Sequence, residues 1–242
     1  MSEDSSKLLL QDRWAPVTSD MGFLEADAER AARAFSSWQG GLFASDGVTV
    51  DARPVMGSLE QVLSSLLPLT HGEKQRHLFI PTRSAWTAYF DNGYRGTDAV
   101  SAMSHLAQVV GCRGMRVGAV PHTLQKDKGR YGIVALEVYG PRQTDWLNYL
   151  RTIYAMNDGG HWVFGQTGEP FPFEKLERYQ ARKVRDRFTL DMLAEYLHHL
   201  GLSPFKEDFY LPQGAPAWLV EKTGNFVPAQ TEHTLAQARE DF

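Results

Sequence analysis

Eight histidines, one cysteine and a scatter of carboxylates are the groups in this 242-residue chain that could do chemistry. The histidines are His71, His77, His105, His122, His161, His198, His199 and His233, and only His198 and His199 are adjacent. Neighbours on a helix point about 100° apart, so that pair is poorly placed to share one ion. Its position at the end of a helical stretch suits the helix dipole instead. Cys112 has no Cys or His at ligand spacing, which argues against structural zinc, and a lone cysteine makes no internal disulfide. The sequence carries no G-x-G-x-x-G, no G-x-x-x-x-G-K-[ST], no G-x-S-x-G and no H-E-x-x-H. Glu169 and Glu174 flank Pro170-Phe171-Pro172-Phe173, but nothing fixes their separation as paired-carboxylate hydrolysis requires. No catalytic residue, metal or cofactor is therefore assigned.

Two readings remain, from different classes. The chain has 25 Lys+Arg against 29 Asp+Glu, a net charge of −4, and the first sixty residues alone carry −5. An acidic surface suits a basic partner, because complementary fields speed and orient encounter. Asp20, Glu25, Asp27 and Glu29 are the candidate carboxylates, and Tyr89 and Tyr94 the candidate aromatic anchors. The leading expectation is thus a non-catalytic, cytoplasmic protein-binding protein. Its most concrete form is a bacterial toxin-immunity type inhibitor that occludes a basic toxin domain. The alternative is an enzyme or small-ligand-binding protein whose groups lie at strand ends and Gly-rich turns. Asp91, Asn92, His122, Arg151, Asp158 and His161 are the candidates for that site. Residues 174–187 carry a net charge of +3, yet with a pI near 6.1 and no second basic stripe a nucleic-acid partner is not expected.

These residues need elements to position them. The spacing predicts a helix over Leu24–Trp38 ended by Gly40-Gly41, a strand over Gly47–Arg53, and a short helix with a Ser58/Gln61 capping box. Strands follow at His77–Pro81 and Ala85–Asp91, then a helix capped by Thr97 and stopped by Gly111. Further strands are expected at Met115–Val120, Tyr131–Tyr139, Leu147–Met156 and His161–Gln166, the last two joined by a hairpin at Asn157-Asp158-Gly159-Gly160. Residues 174–187 and a stretch capped by Thr189 read as helices, and the Pro-rich tail as loops with a short terminal helix. The fold class is α+β: one domain over residues 1–242 with a mostly antiparallel central sheet flanked by amphipathic helices. Residues 1–12 are expected to be a mobile segment. No apolar run approaches the length of a bilayer span and the start lacks a signal-peptide pattern, so no membrane is expected. Sheet edges leave a homodimer open.

Overall fold

A computed structural model describes residues 5–126, 128–212, 214–224, 226 and 231–242. Its centre is a nine-stranded antiparallel sheet in the order β2-β10-β4-β5-β1-β6-β7-β8-β9. The strands are β1 (Asp20–Leu24), β2 (Thr49–Val55), β4 (Arg76–Pro81), β5 (Thr87–Asp91), β6 (Gly114–Val120), β7 (Ile133–Tyr139), β8 (Tyr149–Asp158), β9 (His161–Gly168) and β10 (Ala217–Thr223). A separate two-stranded ribbon pairs β3 (Leu69–His71) with β11 (Thr231–His233). The helices are α1 (Ala28–Leu42), α2 (Leu59–Ser64), α3 (Ala99–Val110), α4 (Leu190–His199) and α5 (Leu235–Asp241). No helix among the described residues is long and apolar enough to cross a membrane.

Strand alternation divides the core in two. On one face α1 and α3 lay Phe35, Ala31, Met103 and Leu106 over Phe79, Tyr89, Tyr139 and Val220. On the other, α2, α4 and the N-terminal segment cover Phe23, Leu78, Phe90, Val117 and Leu136. Each fully buried Phe or Leu contributes roughly 1.5–3 kcal/mol, so this two-sided burial fixes the sheet between its layers. Residues 1–4 of the opening segment lie outside the described residues, and Leu8, Leu9 and Leu10 are buried in the second core.

The antiparallel sheet, the Ser58/Gln61 capping box, the Gly111 stop and the β8–β9 hairpin follow the sequence reading. In that hairpin Gly159 and Gly160 take φ of +57° and +95°, and Asn157 Oδ1 accepts from Gly160 N–H. Four expectations are corrected. Leu24 ends β1 rather than starting a helix, because Asp27 takes the Glu29 and Arg30 N–H groups and α1 begins after it, running on through Gly40-Gly41. Asp98, not Thr97, occupies the cap position of α3, and the Thr97 hydroxyl is spent on the Val17 carbonyl and the Asp91 N–H. Residues 174–187 form 3₁₀ turns at Leu176–Gln180 and Val184–Asp186 instead of a helix. Glu174 is drawn inward onto Arg151, and the Lys175 backbone N–H goes to the Tyr196 hydroxyl instead of a helical bond. The tail supplies β10 between β2 and β4, since its prolines bracket the run Ala217–Thr223 and do not interrupt it.

Candidate functional site

Helix α3 sits unusually close to the sheet because glycines line the strands beneath it. A Cβ at Gly22 would meet Met103 Cγ at 2.8 Å, and one at Gly114 would meet the Met103 carbonyl oxygen at 2.6 Å. That approach brings the start of α3 over the ends of β1, β5 and β6. The loop Gly93–Asp98 closes the gap, with Gly96 at φ +104° packed against the Pro16 carbonyl. Between loop, helix start and the β3 ribbon lies an open cleft of about 610 Å³. Asp20, Arg116, Lys74, His71, Tyr94 and Asp98 are among its lining residues.

Charge collects at the floor of this cleft. Arg116 bridges Asp20 Oδ2 at 2.6 Å and Glu137 Oε1 at 2.7 Å. Asp20 keeps 21% of its side-chain surface, but its Oδ1 is shielded from solvent and accepts no hydrogen bond among the described residues. The β1–β5 register, Gly22 opposite Tyr89, puts Asp20 opposite Asp91 two residues further along. Asp91 is buried and accepts from the N–H groups of Gly93 and Asp98, each at 2.9 Å. Burial pushes the Asp20 carboxyl up to about 6 against the pull of Arg116. It does the same to Asp91, to about 6, against the pull of Lys74. Lys74 is held the other way: burial opposes its charge, but Asp91 and Asp98 outweigh that and raise it.

Behind Asp91 runs a buried chain of proton-bearing groups. Burial, with Lys222 nearby, holds His77 well below its ordinary value, so its ring is neutral. Its Nε2 faces the Lys74 carbonyl at 3.1 Å and must carry the proton, which leaves Nδ1 as an acceptor for the Tyr89 hydroxyl at 2.9 Å. Tyr89 Oη also lies 3.3 Å from Asp91 Oδ2. One hydroxyl proton cannot satisfy both acceptors. The shorter contact, to His77 Nδ1, takes it, and Asp91 keeps its two backbone N–H donors.

The partner-binding candidates are dispersed through the fold. Tyr89 is 2% exposed and belongs to the chain just described, so it presents no surface to a partner, contrary to expectation. Alternation does place it opposite Phe90, but the helical layer of α1 and α3 covers that face. Glu25 forms a bidentate pair with Arg113 at 2.7 Å, which lowers its carboxyl. Asp27 caps α1, and Glu29 pairs with Arg33 one turn on. Tyr94 is partly exposed, stacked on His71 and tilted against His233, with its hydroxyl on Asp241.

Of the alternative set, Asp91 and Asn92 lie together beneath the cleft. Asn92 is wholly structural, accepting from the Gln75 and Arg76 N–H groups and donating to the Pro68 carbonyl. Arg151 is buried against Glu174 elsewhere. His122 is exposed beside a groove of about 360 Å³ with Trp162 and Arg185, and Asp158 and His161 are exposed at the β8–β9 turn. Those four do not converge with Asp91. Arg116, Lys74 and Glu137 were missed by sequence reasoning, since alternation marks Arg116 and Glu137 as outward polar residues, Lys74 lies on the β3–β4 connection, and only the strand pairing brings them together. Among the described residues no group of three or more His, Cys, Asp or Glu could hold a metal ion. No protein-family model matches this chain, and no curated protein or solved structure matches it either.

Proposed function

We propose that this chain is a small-ligand-binding protein whose site is the cleft at the start of α3, with Asp20 and Asp91 as its proton-exchanging groups. The observation that carries this reading is convergence. Three strand ends, a glycine-containing loop and a helix start meet at one concavity, over two cross-strand carboxyls that burial raises to about 6. Such groups give and take protons close to physiological pH. A fragment screen read by amide NMR of the full chain tests it. Binding fragments are expected to shift Gly93–Val100 and Asp20 first; a screen in which every hit shifts other regions instead would overturn it.

The protein-binding reading, an immunity-type inhibitor of a basic domain, keeps one observation in its favour. Trp146 and Leu147, on the β7–β8 connection, and Leu150 of β8 are 73%, 52% and 41% exposed, a large apolar area for one stretch of chain. Cross-linking in native cells, repeated with Trp146→Ser, tests it. A specific partner lost in the variant supports that reading, and self-cross-links alone would point to a second copy of the chain. An unchanged pattern in the variant removes the patch from consideration.

A further inference from the structure

Resting on the cleft as a ligand site, we infer that its ligand is a small organic cation, a protonated primary amine, with its ammonium toward Asp20 and its body against Tyr94 and His71. The charge balance at the floor leads there. Asp20, Asp91, Glu137 and Asp98 stand against Arg116 and Lys74, with Arg95 exposed at the rim. Both inner cations are committed. Lys74 holds Asp98 at 3.1 Å, and Arg116 is divided between Asp20 and Glu137. At pH 7.5, where Asp20 and Asp91 are ionised, these four acids outnumber the three cations even with Arg95 counted.

The second observation is the unsatisfied acceptor. Asp20 Oδ1 is buried without a donor among the described residues, and such an atom costs about 1–3 kcal/mol. An ammonium brings three donors and a full charge. Asp20 lines the cleft and keeps 21% of its side-chain surface, and a partial turn about χ2, a broad torsion for Asp, brings the unpaired oxygen toward a ligand there while the carboxyl stays beside Arg116. A third observation is the aromatic wall. The His71 and Tyr94 rings stack at 5.7 Å between centroids and both line the cleft, giving a π surface for a cation.

Competing ligand classes fit less well. For an anion, the inward N–H groups of Gly93 and Asp98 are already taken by the Asp91 carboxyl, and the surrounding acids repel it. For a metal ion, no sufficient ligand set exists among the described residues. An amine brings its charge to Asp20 in its ionised form, so binding displaces a proton from a carboxyl that titrates at about 6 and strengthens as pH rises through that value.

The test titrates the full chain with n-propylamine, n-propanol and propionate at matched ionic strength, read by amide and side-chain carboxyl NMR at pH 7.5 and pH 5. Propylamine is expected to shift Asp20, Tyr94 and Gly93–Val100 at pH 7.5. Its affinity should fall about tenfold at pH 5, where roughly nine in ten Asp20 carboxyls hold a proton. Propanol and propionate should bind at least tenfold more weakly, by about the worth of one charge-assisted contact. Asp20→Asn should erase the preference for amine over alcohol, while Tyr94→Leu should weaken amine binding a few-fold and keep its pH dependence. Propionate binding at the cleft as tightly as propylamine would overturn the amine assignment and leave the cleft as a ligand site. Asp20→Asn binding propylamine like the parent, or none of the three probes moving a cleft resonance, would also overturn it. The fragment screen above separately decides whether the cleft binds anything.

Discussion

Two of the carboxylate-held arginines in this sheet are opposites. Arg151, on β8, is 1% exposed and its guanidinium is fully used. It makes two bonds to Glu174, at 2.9 and 2.6 Å, and others to the Thr167 and Gly168 carbonyls and to Gln166 Oε1. Glu174 in turn accepts from the Phe171 N–H and the Tyr179 hydroxyl. Arg116, on β6, is split between two acids at the floor of an open cleft, one of which has an oxygen with no donor. A buried charge is therefore not in itself a sign of function. Arg151 is closed and satisfied, so it fastens β8 and β9 to the segment after them. Arg116 belongs to a cluster that something outside the chain can complete.

The sharpest way to break that contrast is to cut each pair on its acidic side. Glu174→Ala leaves a guanidinium buried without its counter-charge, so the expected loss is about 3–5 kcal/mol in urea unfolding, enough to unfold a marginal domain. Asp20→Asn leaves Arg116 with Glu137 and removes a carboxyl whose ionisation is uphill, so about 1 kcal/mol or less is expected at pH 7.5. Equal costs would mean that the cleft cluster is as structural as the closed one.

The pH dependence separates the two regions further. In the folded chain Asp20 and Asp91 titrate at about 6, above their ordinary 3.8, so the folded state holds protons that the unfolded state releases. Their share of stability is complete below pH ~4 and is lost as pH rises through about 6. His77 works in the opposite sense: it is buried neutral, its share is present above its ordinary 6.5, and it is lost as pH falls. Comparing parent with Asp20→Asn cancels His77 and leaves Asp20 together with its coupling to Asp91. Between pH 4 and 7.5 the parent should lose up to about 2–3 kcal/mol relative to the variant, measured by chemical unfolding across that range. A flat difference would show that Asp20 titrates as an ordinary exposed acid.

What the sequence revealed and what it hid divides along local and non-local lines. The Ser58/Gln61 box, the Gly111 stop and the turn at Gly159-Gly160 are decided by residues within one turn of each other, and all three are visible in the letters. Strand β10 was hidden because its pairing partners, Val55 and Phe79, lie more than a hundred residues away and its flanking prolines suggest loops. The cleft was hidden for the same reason. Asp20 and Arg116 are 96 residues apart in sequence and meet only through the β1–β6 register. Asp91 and Asn92 were legible as strand-end polar residues, but not that one would be structural and the other lie among unbalanced charges. The acidic first quarter was real as composition and misleading as a surface, because Glu25, Asp27 and Glu29 each have a partner within the fold.

The smallest expected effect gives the finest test, because it sets two aspartates at the same helical position against each other. Asp27 at the start of α1 accepts from the Glu29 and Arg30 N–H groups at 2.9 and 3.1 Å, so Asp27→Ala should cost about 1 kcal/mol. Asp98 at the start of α3 makes no such bond; its carboxylate goes to Lys74 instead, in a pair close to solvent. Asp98→Ala should therefore cost about 0.5 kcal/mol or less in the same unfolding measurement. Its consequence should appear at the cleft. With Asp98 gone, the Lys74 ammonium is free to swing toward the Asp91 and Asp20 carboxyls, and it then competes with a ligand cation for the same charge. Propylamine affinity should fall several-fold in Asp98→Ala and stay unchanged in Asp27→Ala, so that stability and binding respond in opposite order to the two substitutions. If Asp98→Ala instead unfolds as readily as Asp27→Ala and binds amine like the parent, the acid at the start of α3 is a cap after all, and Lys74 is not what keeps the cleft open to a cation.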